Sequence, residues 1–241
     1  MNNVKTTRTV DEHVQHVRTI FDDITPSYDL LNRIMSARRD VRWRRRLAGR
    51  IDSDAGRIID IAAGTGDQAI EVLRHVPHAG LFCLDFVPRM LDIARMKALK
   101  SGLEDRIDFC IGDATGIPFA DNSFDASVIA FGLRNIPDKA RALKEMIRVV
   151  KPGGKVLCLE MSFPENLGFR GFFSWYLNRM IPFIGGLISR NRAAYRYLPN
   201  SIQGFLRPEQ MTDLFRQAGL TEVRKLRLTS GIAHIHEGIV R

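Results

Sequence analysis

Asp60-Ile61-Ala62-Ala63-Gly64-Thr65-Gly66-Asp67-Gln68-Ala69 decides how this chain folds. Upstream, Arg57 to Ile61 is a short apolar run; downstream, Gln68 to His75 carries a helical pattern. The order is strand, tight glycine turn, helix. Gly64 and Gly66 let a ligand approach the backbone, and the start of the helix offers free N–H groups. The same letters satisfy the dinucleotide fingerprint G-x-G-x-x-A, so the glycines alone do not say which nucleotide is held.

Acid separates the readings. Asp60 ends the strand and Asp67 lies in the turn, on either side of the place where a pyrophosphate would rest. Like charges a few ångströms apart in a partly desolvated site repel by about 4 kcal/mol at an effective dielectric near 20. A cationic ligand is favoured there instead. S-adenosylmethionine (SAM) has the matching features: a sulfonium, an ammonium and, beyond them, a ribose diol. A nicotinamide site and a purely structural turn are the alternatives.

Working outward, strand and helix patterns alternate to about residue 162. Strands are expected at Arg57–Ile61, Leu81–Asp85, Ile107–Ile111, within Phe124–Phe131 and at Lys155–Glu160, with helices at Pro88–Lys100 and Lys139–Val150. Lys151-Pro152-Gly153-Gly154 reads as the stop between the last helix and strand. Such alternation builds a parallel sheet with helices on both faces. Pro208–Ala218 reads as a helix, and Glu222–Leu228 with Ile232–Val240 as an antiparallel hairpin completing a mostly parallel seven-stranded α/β sheet. Ligands of such sheets collect at the carboxyl ends of the strands. Asp60, Asp85, Asp113 and the Phe131–Asn135 stretch all lie there. Asp85 falls 19 residues beyond Gly66, near the spacing of an acid that takes both ribose hydroxyls. Asp113-Ala114 would sit beside the adenine. Any one of these acids alone reads equally as a helix cap or turn residue.

The flanks have other character. Val14, Val17, Ile20 and Phe21 form a helical stripe, Thr25-Pro26-Ser27 breaks it, and a second helix runs from Tyr28 toward Met35. Arg38 to Arg50 then crowds seven arginines around Trp43, read as a solvated helix face or as a surface for an anionic membrane or acidic partner. Only Trp43 is available there to stack on bases, so nucleic acid is not expected. Residues 163–206 are rich in aromatic and aliphatic side chains and read as an apolar lid or as a packed helical hairpin. The expected organisation is a single domain, 1–241: a helical cap over 1–50, a SAM-binding core over 51–162, the lid over 163–206, and a closing helix and hairpin over 207–241.

Composition agrees with an ordinary globular chain: 241 residues, 45% hydrophobic and 26% charged, with a net charge of +9 that favours anionic surfaces. Cys83, Cys110 and Cys158 lie in apolar runs and read as buried small hydrophobes of a reducing cytoplasm. His234 and His236 share a strand face without a third ligand nearby, so no metal is expected. Residues 1–11 are polar, without the apolar core of a signal peptide, and no run of about 18 apolar residues occurs. The expected location is cytoplasmic, with a peripheral contact at the inner face of the membrane.

Two longer stretches carry a resemblance. Tyr28-Asp29-Leu30-Leu31-Asn32-Arg33-Ile34-Met35-Ser36, reaching to Trp43, and Arg148-Val149-Val150-Lys151-Pro152-Gly153-Gly154, reaching to Glu160 and Ser162, are similar to the signatures of the ubiquinone/menaquinone biosynthesis C-methyltransferases. Pro118-Phe119, Phe131-Gly132-Leu133-Arg134-Asn135 and Tyr195-Arg196-Tyr197-Leu198 followed by Ser201-Ile202 are similar as well. The resemblance covers nearly the whole chain. It implies a Rossmann-like, SAM-dependent methyltransferase acting on a polyprenylated benzoquinol or naphthoquinol, with homodimer formation left open. It carries family SAM contacts to Thr65, Asp85, Asp113 and Ala114, and makes Arg134 and Asn135 the first choice for handling the acceptor hydroxyl, with Tyr28, Tyr195 and Tyr197 lining its pocket. With the turn reading, the expected SAM set is Asp60, Gly64, Thr65, Gly66, Asp85, Asp113, Ala114 and Ala130. At Ala130 the family usually has serine. It also has Phe-Gly where this chain has Ala37-Arg38, and histidine where this chain has Asp40. These departures keep open a methyltransferase of another apolar or phenolic acceptor. A non-catalytic SAM-fold partner of a membrane complex is the reading from another class.

Overall fold

The computed structural model describes residues 15, 17–164, 171, 173–180 and 199–241. Seven strands form one sheet: β1 (Arg57–Ile61), β2 (Gly80–Asp85), β3 (Ile107–Ile111), β4 (Phe124–Ala130), β5 (Val150–Met161), β6 (Thr221–Leu228) and β7 (Ala233–Ile239). Their order across the sheet is β3-β2-β1-β4-β5-β7-β6. The first five run parallel, and β7 lies antiparallel to both β5 and β6. The order reverses between β1 and β4, the crevice where such sheets bind ligands.

Alternation along β1 distributes its side chains to two cores. Ile58 packs with Trp43, Leu47, Val72 and Leu91 beneath α2 (Arg39–Ala48), α3 (Asp67–His75) and α4 (Pro88–Lys100), which follow a short α1 (Tyr28–Met35). Ile59 and Ile61 point the other way, to Leu143, Met146 and Phe215 of α5 (Lys139–Arg148) and α6 (Pro208–Gln217). Each such burial contributes about 1.5–3 kcal/mol. By the same period of two, Asp60 lies on the Ile58 face, under α2 and α3.

The helix Pro88–Lys100 begins with proline at its first turn, where the missing N–H costs nothing. Asp138 caps α5 by accepting from the Arg141 N–H at 2.9 Å. One expected boundary moves. Lys151–Gly154 is the first part of β5 and not a stop, because Gly153 and Gly154 exchange 2.9 Å backbone bonds with Val240. Only glycine fits at 154, where a Cβ would lie 2.5 Å from the Asp125 carbonyl oxygen.

Of the segment expected to act as a lid, residues 165–170, 172 and 181–198 lie outside the described residues, and Tyr195 and Tyr197 with them. Phe173, Leu177 and Ile202 form a small core with Met35, Met161 and Ile232, and the Tyr176 hydroxyl donates to the Met35 carbonyl at 2.9 Å. Among the described residues no helix is long and apolar enough to cross a membrane.

Candidate active site

After β1 the chain turns through positive φ at Ala62, Gly64 and Gly66. The two glycines serve different ends. A Cβ on Gly64 would meet no atom within 4 Å, whereas one on Gly66 would press on the Ala94 Cβ at 3.0 Å. Gly64 faces open space, and Gly66 lets α3 approach α4. Asp85, at the end of β2, accepts from the Gly64 N–H at 2.8 Å and the Val87 N–H at 2.9 Å. Burial raises its carboxyl to about 6 against those bonds.

A cavity of about 370 Å³ opens over these strand ends. Of the expected residues, Gly64, Thr65, Asp85, Asp113, Ala114 and Ala130 line it, as does Asn135. Asp60 and Gly66 are not among its lining residues. Asp60 lies behind the wall, 1% exposed, and neither carboxylate oxygen has a hydrogen-bond partner. Burial raises its carboxyl to about 8, opposed by the charge of Arg44.

The pair of free carboxylates expected at this turn is one. Asp67 accepts from Lys97 and from Arg33, both at 2.7 Å. Burial would raise its carboxyl, yet Arg44, Lys97 and Arg33 together hold it below the ordinary value. Lys97 also reaches Thr65 Oγ1 at 3.0 Å and Asp29 at 2.5 Å, while the Thr65 hydroxyl donates to Asp29 at 2.6 Å. These bonds clamp α1 over the glycine turn.

A second cavity, of about 320 Å³, lies beside the first, lined by Met35, Trp43, Met161, Phe173, Leu177, Ile202 and Ile232 with Asp40, Arg39, Arg44 and Arg134. Arg44 and Phe131 belong to both linings. Phe131 holds φ +62, a left-handed conformation costly for a bulky residue and characteristic of working sites. The Arg44 guanidinium lies 5.0 Å from its ring centroid, that of Arg134 lies 6.0 Å away, and the Trp43 ring 6.1 Å.

Arg134 and Asn135 separate across this junction, the former on the second cavity and the latter on the first. Arg134 donates to Glu160 at 2.8 Å and to the Phe131 carbonyl at 2.7 Å, and its own N–H reaches Glu160 at 3.1 Å. Sequence reasoning allowed Arg134 a structural ion pair with a strand-end acid as the alternative to its acceptor role, and Glu160 is that acid. It also placed Arg44 with the surface arginines; the buried stripe of Asp40, Trp43, Arg44, Leu47 and Ala48 shows otherwise. Trp43 is likewise buried, donating to Thr229 Oγ1 at 2.9 Å, and is not available to stack on bases.

The unpartnered Asp60 carboxylate, the open space at Gly64 and the buried Asp85 at its lip fit a cationic ligand carrying a ribose. The comparisons with known proteins decide its identity. A model of the ubiE/COQ5 methyltransferase family matches residues 7–240. The chain belongs to the ubiE/COQ5 methyltransferase family. It is a SAM-dependent methyltransferase. A Thermus thermophilus protein named demethylmenaquinone methyltransferase is 46% identical over 220 residues, 91% of this chain and 99% of that one. A Geobacter protein named ubiquinone/menaquinone biosynthesis C-methyltransferase UbiE is 39% identical over 231 residues, 95% and 98% of the two chains. Among solved structures, a SAM-dependent methyltransferase of Thermotoga maritima matches with a TM-score of 0.66 at 19% identity, covering 94% of this chain and all of that one (100%). One from Aquifex aeolicus matches at 0.57 and 16%, over 77% and 82%. These two share the Rossmann-like fold.

The departures from the ubiE/COQ5 pattern have structural readings. Ala37 and Arg38 hold φ +49 and +59, so Arg38 stands in a left-handed conformation where the family has glycine. Asp40 pairs with Arg33 and accepts from Ser36 at 2.7 Å, tying α1 to α2. His234 and His236 are buried; Ser162 Oγ lies 2.7 Å from His234 Nδ1, and His236 Nε2 donates to the Pro208 carbonyl at 2.8 Å. Burial first, and neighbouring charge, lower both to about 4. No group of three metal-ligating side chains occurs among the described residues.

Proposed function

We propose that this enzyme methylates a ring carbon of a polyprenylated quinol, demethylmenaquinol to menaquinol first, with 2-polyprenyl-6-methoxy-1,4-benzoquinol as the ubiquinone-series counterpart. The supporting observation is the apolar second cavity meeting the first at Phe131 and Arg44. The names of the relatives point the same way.

SAM, when bound, supplies a methyl group made electrophilic by its sulfonium. The chain's residues hold it: Asp85 for the ribose hydroxyls, the Asp113-Ala114 pair beside the adenine, Gly64 for close approach of backbone, Ala130 as wall, and Asp60 as a carboxyl behind the turn that gives up its proton as the cation binds. On the acceptor side the quinol gives a hydroxyl proton to water, and the resulting charge spreads to the ortho carbon. That carbon bonds the methyl as the S–CH₃ bond breaks, and its ring proton then leaves to water while the oxygen regains one. The greasy wall excludes other water and positions the ring, an effect worth up to about 7–11 kcal/mol of barrier. Arginine is too weak an acid to serve as the base, so Arg134, fixed by Glu160, orients the ring while Asn135 borders the methyl donor.

The prenyl tail reaches the enzyme from a membrane. Leu30 and Ile34, one turn apart on α1, are exposed, as is Trp175, and Arg38, Arg39 and Arg42 are exposed beside them in sequence. That face suits peripheral contact with an anionic bilayer.

The test is product analysis. With SAM and a short-chain demethylmenaquinol under reducing conditions, mass spectrometry is expected to show the quinol gaining one CH₂. Methyl transfer to other phenols but to no quinol would overturn the acceptor.

A further inference from the structure

Two guanidinium groups border the junction at Phe131, and their electrostatic situations differ. Arg134 is matched by Glu160 in a buried pair at 2.8 Å. Arg44 is as deeply buried, 6% exposed, yet no carboxylate oxygen among the described residues lies within 4.0 Å of it, and its Nε has no hydrogen-bond partner. The surrounding acids are engaged elsewhere. On α3, Asp67 is held by Lys97 and Arg33; on α2 itself, Asp40 is held by Arg33. Beneath, on β1, burial raises the Asp60 carboxyl to about 8 against the opposing charge of Arg44. An arginine keeps its proton even when so deeply buried. Arg44 therefore brings to a wall shared by both cavities a positive charge that acts on Asp67 and Asp60 at a distance but is locked in no close ion pair. Buried charge of this kind is found where an anion binds or develops.

We infer that Arg44 is a further catalytic residue, holding the acceptor's phenolate oxygen during methyl transfer. The inference rests on the quinol acceptor proposed above. The reacting carbon must lie where the cavities meet, and the ionised oxygen is one bond removed from its neighbour, within the province of a side chain that lines both. Loss of the hydroxyl proton to water leaves the oxyanion on Arg44. As the carbon–methyl bond forms, sulfur keeps the electron pair of the breaking S–CH₃ bond and the oxyanion becomes a neutral carbonyl; the ring proton then departs to water and the oxygen regains one.

The test compares Arg44→Gln and Arg44→Lys with the wild type. Removing one preorganised partner of a developing oxyanion lowers kcat by about 10²–10³-fold. Arg44→Gln is expected to do so with affinity for S-adenosylhomocysteine changed less than about threefold, which also reports an intact fold, and Arg44→Lys is expected to restore part of the rate. The rate of Arg44→Gln is expected to rise with pH further into the alkaline range than that of the wild type, because its phenolate is less stabilised. Binding gives an independent readout. The wild type is expected to prefer anionic 2-hydroxy-1,4-naphthoquinone over uncharged 2-methoxy-1,4-naphthoquinone by at least tenfold, and Arg44→Gln to lose that preference. Retention of the preference and of kcat in Arg44→Gln would overturn the inference. A tenfold loss of S-adenosylhomocysteine affinity would overturn it differently, by assigning Arg44 to the methionine carboxylate. A wild-type enzyme that methylates no quinol would instead strike at the acceptor on which the inference depends.

Discussion

The two cavities share a wall at Phe131 but are made of different material. The floor of the first cavity is assembled from consecutive strand ends, β1 to β4, so those residues appear in chain order, while Val17, Phe21, Tyr28 and Arg44 close it from the N-terminal side. The second cavity draws on residues within 32–44, on Phe131 and Arg134, on Met161, Phe173, Tyr176 and Leu177, and on Ile202 and Ile232, brought together only by the complete fold. The first is the more polar of the two and rests on backbone turns; the second is more fully apolar and is held by side-chain packing and a few buried ion pairs. The lesson is that chemistry common to many enzymes sits on local structure, while the choice of acceptor depends on distant contacts.

The largest effect separates the two guanidinium groups. Arg134→Met leaves Glu160 buried without its guanidinium and is expected to cost about 3–5 kcal/mol in denaturant unfolding, whereas Arg44→Met, which breaks no close ion pair, is expected to cost less. Adding Glu160→Gln to Arg134→Met recovers much of the loss. Equal losses for the two single variants would erase the distinction drawn at Phe131.

On the donor side, Asp85→Ala removes the proposed acceptor of both ribose hydroxyls. Calorimetric affinity for S-adenosylhomocysteine is expected to fall by roughly 10²-fold, about two charge-assisted bonds. The same change is expected to leave naphthoquinone binding within about threefold, since that cavity lies across Phe131.

A smaller effect is linked to protons. Asp60 is held protonated up to about pH 8 in the free protein. A cation bound nearby favours the ionised form, so SAM affinity is expected to rise with pH toward 8 and level above it, by at most about tenfold per unit. Calorimetry at pH 7 in buffers of different ionisation enthalpy should register proton release on binding, and Asp60→Asn should abolish it. For stability the sign is reversed: because the folded pKa lies above the ordinary 3.8, Asp60 favours the fold at low pH and that contribution fades as pH rises toward 8. His234 and His236, lowered to about 4, act oppositely, lending full stability above 6.5 and losing it as pH falls through 4.

The smallest effect concerns the link over the acceptor cavity. Arg38→Gly relieves a left-handed residue at φ +59 and is expected to stabilise by about 0.5–1 kcal/mol in thermal unfolding, with no change in SAM binding.

Legibility followed the same divide. Helix Pro88–Lys100 and strands Arg57–Ile61 and Ile107–Ile111 were readable because their signals are local: a proline in the first turn, and apolar runs bounded by turn residues. Asp85, Asp113 and Ala114 were readable as lining residues because strand ends recur in register. The neutralisation of Asp67 was not, since Arg33 and Lys97 are 34 and 30 residues away. Nor was the burial of Arg44: among so many arginines its inward position is marked only by its spacing from Asp40 and Leu47. Phe131 stood in a familiar motif, but its left-handed backbone and its place between two guanidinium groups belong to tertiary structure.

The central claim is that a methyl group crosses at Phe131 from SAM to carbon. Incubation with ¹³C-methyl-labelled SAM and a short-chain demethylmenaquinol, followed by ¹³C NMR of the extracted product, tests it directly. The label is predicted at a methyl bonded to ring carbon. Label at an O-methyl ether, or absence of label from the quinol while SAM is turned over, would contradict the account.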